Sequence, residues 1–537
     1  AFEASLGSAA ASAGFIKGTA QGTLQSWQFN TVLTNLRPAF LDARAPTLQL
    51  NGAVNIKGQQ PKQALTLNAE AALNGLWLGQ HAGIGNQAAQ LSLTATWKGE
   101  GDGNPNARFE LQKAELKSGA SRVTASLDAM QQKQGQQSPW RITLNASSND
   151  LDTRLLWAGP ENSAWRIKEH RLNSKLQAKL LATPGQNMPT GDAELSIADS
   201  LLAGLPLQGQ IQLQERARQR VVTGQVNVAA NEVSLEGILP NGKQDLSLAI
   251  KLDLPKLAAL APLLQLAVPV DFDATHLSGK AKGEIQLKGG WPYLNSSGQL
   301  QLADIQLQMR QKTMQLQKAS LTWLAGTRTQ DPLNFQATIE KLGNADGMLD
   351  QAQISLTGRW AAHDLKLNAQ LGVLAPSWVG ILEPKLATGS DTPVRVPATL
   401  QAQIHGALDQ APEHWPQLKQ PVHWSARADQ ALLETKRTKR AISWVNAKGL
   451  KLQTTFKTDG SLSHLKAEPG RLEVFSAGLH WSELSWAAPS VAHPQGQIDA
   501  NLELEPIATA ALLARVQPDF GWTGDLTMSA RAQIHSS

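Results

Sequence analysis

The sequence predicts a mainly β fold, an extended and repetitive body of antiparallel strands joined as hairpins and meanders. Three observations carry this reading. Apolar residues recur at every second position through most of the 537 residues. Turn-forming pairs rich in Asn and Gly separate many of those runs. Short interruptions opened by proline or Asp return on a coarse period.

The strand runs come in chain order. Leu65-Leu67-Ala69, Leu91-Leu93-Ala95-Trp97, Ile142-Leu144-Ala146 and Leu176-Ala178-Leu180 lead, followed by Leu195-Ile197, Ile211-Leu213 and Val226-Val228. The clearest is "QDLSLAIKLDLP", in which Leu246, Leu248, Ile250, Leu252 and Leu254 alternate with Ser247, Ala249, Lys251 and Asp253 before Pro255 ends the pattern. Next come Ile285-Leu287, Leu300-Leu302, Ile354-Leu356, Leu365-Leu367 and Leu400-Ala402-Ile404. Leu450-Leu452, Leu472-Val474, Ile498-Ala500-Leu502-Leu504 and Leu526-Met528-Ala530 close the series. Side chains alternate sides along a strand, so each run has one oily face and one wet face. Asn51-Gly52, Asn74-Gly75, Asn241-Gly242 and Asp459-Gly460 are turn signals, and the last three stand where a tight hairpin is expected.

The interruptions are "NLRPAFLDARAP", "NDLDTRLLWAGP", "LPKLAALAPLL", "LAPSWVGILEPKL" and "LEPIATAALLARVQP". Each predicts a short helix, because proline is tolerated in the first helical turn, where no backbone donor is needed. Leu257, Leu260 and Leu264 share one helical face, as do Trp378, Ile381 and Leu382. The copies begin near 35, 149, 252, 374 and 504, and no shift in composition divides the chain. One continuous β body over 1–537 is the economical expectation.

Hydrophobic residues make up 42% of the chain, enough for extensive burial, while charged residues supply only 17% against roughly 25% in typical domains. Polar neutral residues fill the gap, which suits sheets with a neutral outer face. The net charge of +5 is too dilute over this length to point to nucleic acid. Absence of cysteine excludes disulfides, thiolate metal sites and a cysteine nucleophile. The chain opens on "AFEASLGSAAASAGF", without a basic or apolar leader, and stops at "RAQIHSS" inside a strand pattern. It therefore reads as an internal piece of something longer. The stretch "LAALAPLLQLAVPV" is too short to span a bilayer and is cut by Pro262, Gln265 and Pro269.

Three packings satisfy the oily faces: face-to-face sandwiches, a self-filled solenoid, or a sheet folded lengthwise into an open trough. Leaving a Leu or Ile uncovered forfeits roughly 1.5–3 kcal/mol, so a trough makes sense only when another molecule covers it. Alternation alone does not choose among the three.

The segment "LDLPKLAALAPLL", followed by "THLSGKAKGEIQLKGGWPYLNSSGQLQLADIQL", resembles the TamB family within the AsmA-like group of bacterial envelope proteins. The matching elements are Leu252 to Leu264, then Gly279, Gly283 and Gly289, then Pro292 to Leu302. "NLRPAFLDARAPTLQLNGAVNIKG" is similar, with Pro46, Gly52 and Gly58, and so is "LELEPIATAALLARVQPDFGWTGDLTMSARAQI", which lacks the second glycine. The family's C-terminal domain and its N-terminal membrane anchor are not recognisable here. The resemblance implies an elongated antiparallel sheet curled into a taco-like groove with a few short helices. It implies a periplasmic location, an inner-membrane anchor outside this chain, and phospholipid carried between the two membranes. A second implied role is outer-membrane protein assembly with a TamA-like β-barrel partner, engaged through regions outside this chain.

On that reading acyl chains lie on Leu246, Leu248, Ile250, Leu252 and Leu254, and further along on Ile285, Leu287, Leu300, Leu302, Ile354, Leu356, Leu365, Leu367, Ile498, Leu502 and Leu504. Head groups project into water. Such a groove needs no catalytic residue, metal or cofactor, and no G-x-S-x-G, phosphate-loop or dinucleotide motif is present.

Other features have plainer readings. His405, His414 and His423 are evenly spaced, but with no carboxylate pattern beside them they read as solvent-facing rather than metal-binding. "GEGDGNPN" has the content of a calcium loop but no closing acid at a suitable spacing, so it reads as a hairpin tip. "TKRTKR", Thr435 to Arg440, reads as a solvated hairpin loop, with an anionic head-group contact as its sharper alternative. Trp outnumbers the other aromatics, and Trp77, Trp97, Trp323, Trp360, Trp424, Trp444 and Trp481 sit in strand-like runs. They fill the sheet interior or line groove rims with the N–H toward water. The rivals to lipid transport are a structural or adhesive β-rich surface protein with a self-filled core, and a glycan-processing β-solenoid enzyme. The second needs clustered acids, whereas Asp253, Glu284 and Glu503 are dispersed.

Overall fold

Alternating runs become strands almost wherever they occur, and most strands bond to the one before them in the chain. The computed structural model describes residues 1–537 except 9–10, 41–47, 61–64, 80–84, 101–105, 133–137, 158, 161–162, 185–188, 217–218, 241–244, 265–272, 291–292, 310–311, 344–346, 375–394, 410–420, 438–439, 459–460, 475–476, 490–495, 509–526 and 537. Thirty strands among the described residues belong to one antiparallel sheet, so the protein is mainly β and repetitive. Compactness divides the chain into two units, Ala1–His276 and Leu277–Ser537.

In the first unit the strands from Phe2–Ser8 to Leu246–Leu254 pair in sequence order. Leu246–Leu254 lies against Asn231–Leu239, with Val233 opposite Leu252, Leu235 opposite Ile250 and Gly237 opposite Leu248. In the second unit the meander runs from Tyr293–Met309 to Thr527–Ser536. There one long strand, Val422–Arg437, pairs with two collinear shorter ones, Arg440–Ala447 and Leu450–Phe456. These pair in turn with Gly470–Val474 and Leu462–Ala467, and both lanes rejoin on Ala477–Ala487.

Alternation slips at particular points, and the slips crease the sheet. The inward-facing position moves three residues rather than two from Leu33 to Leu36, Ile197 to the buried Ser200, Leu302 to Ile305 and Ile339 to Leu342. Just before each resumption stands a residue in the left-handed conformation: Asn35 at φ 53°, Asp199 at 48°, Asp304 at 54° and Lys341 at 50°. Asp150, at φ 48°, does the same before Leu151. Asn and Asp tolerate this conformation better than most residues, and one extra residue bends a strand as a bulge does. Backbone groups freed at the creases are met by side chains. The Asn35 N–H donates to Asn51 Oδ1 at 2.7 Å, and the Asp150 N–H to Asn173 Oδ1 at 2.7 Å. The Ser148 and Ser174 hydroxyls bond each other at 2.8 Å. The two serines stand on the otherwise apolar face, where Ser148 also donates to the Leu172 carbonyl at 3.0 Å, while the Asn pairs lie at exposed positions.

Asn51-Gly52 and Asn74-Gly75 correct the turn reading. Both lie inside strands, Leu48–Gln59 and Thr66–Gly79, with Asn51 opposite Asn74 and Leu50 opposite Gly75. A Cβ on Gly75 would stand 1.9 Å from the Gln49 carbonyl oxygen, so glycine serves close backbone approach there, not a hairpin. Asn241-Gly242 and Asp459-Gly460 lie outside the described residues.

The interruptions are shorter than a regular helix. Pro38–Phe40, Thr153–Leu155 and Leu257–Leu260 are single 3-10 turns, and Ala164–Ile167 and Ala261–Leu264 are single α-turns. Asp152 caps the second of these by accepting the Arg154 N–H at 3.0 Å. The copies near 374 and 504 fall mostly outside the described residues.

The first unit has a packed core at one edge of its apolar face, formed by Leu33, Leu48, Leu50, Leu73, Trp77, Ala89, Leu151 and Leu155. Trp77 is 2% exposed, and its indole N–H donates to the Leu155 carbonyl at 2.7 Å. Three strands intervene between those carrying Trp77 and Leu151, so the first unit curls toward its apolar side to bring them together.

Candidate functional site: an apolar sheet face

Register turns the separate oily faces into continuous rows. In the first unit the row that starts at Ile250 passes Leu235, Gly224, Ile211, Leu195 and Leu176. It continues through Ala146, Ala125, Ala114, Leu93, Ala71, Val54, Thr31 and Gly18 to Phe2. That path crosses fifteen strands without a charge. At about 4.8 Å per strand it extends roughly 65–70 Å. The flanking rows, through Leu248 with Val222 and Leu213, and through Leu252 with Val233 and Val226, are equally uncharged.

The second unit repeats the arrangement. Leu300, Leu321, Ala337, Ile354, Leu367 and Ala402 form one row, which reaches Leu472, Leu479 and Leu504. Trp323, Phe335, Leu356, Leu365 and Ile404 form its neighbour. Leu302 lies one row over, opposite Ala319. Leu502 is opposite Trp481 and Ile498 opposite Trp486. Ile285 and Leu287 share the parity of Gly283, which abuts Leu300, so they face the same way.

None of the sixteen residues read as groove lining is buried. Fifteen are half-buried, and Ile498 is 42% exposed. A leucine flanked within its own sheet but overlaid by a second sheet would lose nearly all its accessible surface, as Leu50 does at 1%. The residues on this face that do disappear are mostly alanines between taller neighbours, including Ala178, Ala337, Ala352 and Ala369. Sequence reasoning left Leu235, Ile211, Leu195 and Leu176 out of the lining. Alternation marks Leu176, Leu195 and Ile211 as oily, and only strand register shows that all four share a row with Ile250.

Tryptophans lie low on this face. Trp27, Trp323 and Trp481 each stand opposite a glycine, Gly58, Gly298 and Gly470, whose missing Cβ leaves room for the ring. Four indole N–H groups are held by the protein: Trp323 donates to Ser296 Oγ, Trp360 to the Gly326 carbonyl, Trp424 to His363 Nε2 and Trp481 to the Glu468 carbonyl, at 2.7–2.9 Å. This favours the filling role over a rim role. Trp97 lies 5.9 Å from Trp140. The Trp444 side chain is outside the described residues.

The opposite face carries the charges. His405 is solvent-facing as expected, but carboxylates do stand beside it: the register sets it opposite Asp364, which bonds Nδ1, while Asp429 holds Nε2 at 2.8 Å. Both bonds, Asp364 first, raise its pKa above the ordinary histidine range. The carboxylates sit on opposite sides of the ring and do not converge on one point. Among the described residues no group of three or more His, Asp or Glu side chains is arranged to hold a metal ion. His414 and the calcium-like stretch at 101–105 lie outside the described residues, as do the side chains of Thr435 to Arg440.

Glu115 is 5% exposed because three flexible cations lie over it: Lys113 at 2.8 Å, Lys117 at 3.4 Å and Arg122 at 2.5 Å. The Lys113 hydrogen bond leads in holding its carboxyl at about 2, below the usual 4.5. A depressed carboxyl contributes stability above its unfolded pKa and loses it as pH falls toward the folded value. Denaturant midpoints should therefore fall between about pH 4.5 and about 2, and Glu115→Gln should flatten part of that decline while lowering the midpoint at pH 7. An unchanged acid limb in the variant would refute this. Glu505, held at about 2 by Arg471 and then His480, contributes over the same interval.

No helix among the described residues is long and apolar enough to cross a membrane. No known family matches the chain, and no curated protein matches it in sequence.

Proposed function

We propose that this chain is a non-enzymatic, TamB-like periplasmic segment that conducts phospholipid along its apolar sheet face. The observation that carries the reading is the set of uncharged rows together with the sixteen lining residues, none of which is buried by the protein itself. Acyl chains laid on these rows exchange water contact for apolar contact, at about 0.8 kcal/mol per methylene. Near-uniform rows of Leu, Ile, Val and Ala offer wells of similar depth, so a chain moves along them without a deep trap. Head groups stay in water beyond the strand ends. Assembly of outer-membrane proteins with a TamA-like partner remains the accompanying role, through regions outside this chain.

Mass spectrometry of the purified chain tests the proposal. Phospholipid is expected to co-purify in stoichiometric or greater amount; a stable preparation free of lipid would overturn it. One observation favours the rival reading of a structural or adhesive protein with a self-filled core, namely the packed cluster of Leu50, Trp77 and Leu155. That cluster occupies one edge of the first unit and leaves the row through Ile250 half-exposed.

A further inference from the structure

The two-lane stretch of the second unit begins at a fault in the ladder, and one side chain straps it. Gln403 faces Gln430 and Ile404 faces Ala428, so Asp429 is the extra residue of a bulge in Val422–Arg437. The same strand changes partner there. Ala428 pairs with Leu450 and Ala431 with Ala447, while Lys448 and Gly449, the latter at φ 67°, stand between. One strand on, Glu468 and Pro469 separate Leu462–Ala467 from Gly470–Val474. Ser482 and Glu483 then lie between the pairing of Trp481 with Gly470 and that of Leu484 with Ala467. The fault thus starts at Asp429, beside the unbroken strand Arg395–Leu408, and runs to Ala477–Ala487, where the lanes rejoin.

On the wet face at this point His405 sits opposite Arg427 and between two carboxylates. Asp364, from Ala362–Leu374, bonds Nδ1, and the bulged Asp429 bonds Nε2 at 2.8 Å. Carboxylates only accept hydrogen bonds, and a neutral imidazole has one N–H to give. Only the protonated ring satisfies both. We propose that His405 is a proton-operated latch: as imidazolium it ties the bulge to the two strands before it, and on losing its proton it releases one carboxylate and the fault loosens. The cations nearby oppose protonation. Arg427 is drawn off by Asp429 at 3.2 Å, and Lys366 stands one outward position along from Asp364. Lys451, opposite Arg427, is occupied by Glu468 at 3.0 Å, and Thr357, across from Asp364, is uncharged. The two carboxylates prevail, Asp364 first, and raise the histidine pKa above 6.5. The stabilisation is therefore complete below about pH 6.5 and is lost as pH climbs through the folded value. The latch lies on the face opposite the apolar rows, so it operates whether or not lipid occupies them.

Hydrogen exchange of the full chain, corrected for the intrinsic rate at each pH, reads the latch directly. From about pH 5.5 to about 8.5, protection at Ala428 to Ala431 and Ala447 to Leu450 should fall roughly two- to fivefold, the scale of exposed ion pairs. His405→Gln keeps a donor but does not titrate, so it should stay at the low-protection level throughout. The ladder between Leu300 and Leu321 should respond in neither protein. Asp429→Asn should shrink the fall and lower the His405 titration midpoint, read by NMR of ring-labelled histidine and assigned by its absence from His405→Gln. A flat wild-type profile, an equal fall in His405→Gln, or a fall shared by Leu300 and Leu321 overturns the inference. So does a wild-type His405 midpoint at or below about 6.5.

Discussion

Trp77→Ala should open the curled edge of the first unit and leave the rest of its sheet paired. The indole is 2% exposed within the cluster of Leu50, Leu73 and Leu155, and its removal leaves a cavity that short neighbours cannot fill. Loss of a large buried aromatic costs about 3–5 kcal/mol. The Leu155 carbonyl also loses the donor it holds at 2.7 Å, which adds about 1 kcal/mol or more where water cannot replace it. Meander strands contact mainly their neighbours, so the loss should appear locally. Hydrogen exchange is expected to accelerate at Leu48 to Leu50 and Leu151 to Leu156, with little change at Leu195 to Leu213. Protection unchanged at both places, or lost everywhere together, would contradict this account of the core.

Ile250→Arg should do the reverse, with a small effect on folding and a large one on lipid. Ile250 is half-buried, so the substitution forfeits only part of a burial worth roughly 1.5–3 kcal/mol, and the arginine stem can lie along the row with its head in water. A guanidinium in the acyl path is another matter. Charges at the centre of a hydrocarbon layer cost about 2.5–3.5 kcal/mol on insertion scales, which corresponds to roughly 100-fold lower occupancy at that point. Leu248→Arg is expected to behave the same way, since it stands in the adjacent row opposite Gly237. Co-purified phospholipid and lipid transfer between vesicles should both drop, while the melting temperature moves by a few degrees. Melting that collapses as it does for a core substitution would place these residues in a closed interior and sink the conduit reading.

The strands and their oily sides were legible because period-two alternation is local; Leu246 to Leu254 needs no partner to be recognised. The rows were not, since joining Ile250 to Leu235 and Ile211 requires register, which turns and creases set. The creases themselves left a readable trace. A three-residue step between apolar positions, with Asn, Asp or Lys just before the second, recurs at Asn35, Asp304 and Lys341, and with a serine at one end of the step at Asp150 and Asp199. Counting only alternation hides it. Asn74-Gly75 was misread because glycine answers two different needs, a positive φ in a turn and bare space beside a neighbouring backbone, and sequence does not separate them. His405 with Asp364 and Asp429 joins residues 41 and 24 positions apart, and Trp77 with Leu155 spans 78, so neither pairing had a local signal.

Strand-after-strand pairing lets the first unit assemble vectorially, each new segment adding to the growing margin as it is synthesised, with little loop to close. The exception is Trp77, which has to wait for Leu155. Through the synthesis of the intervening stretch its indole stays uncovered, so that interval is when a nascent chain most needs a holdase.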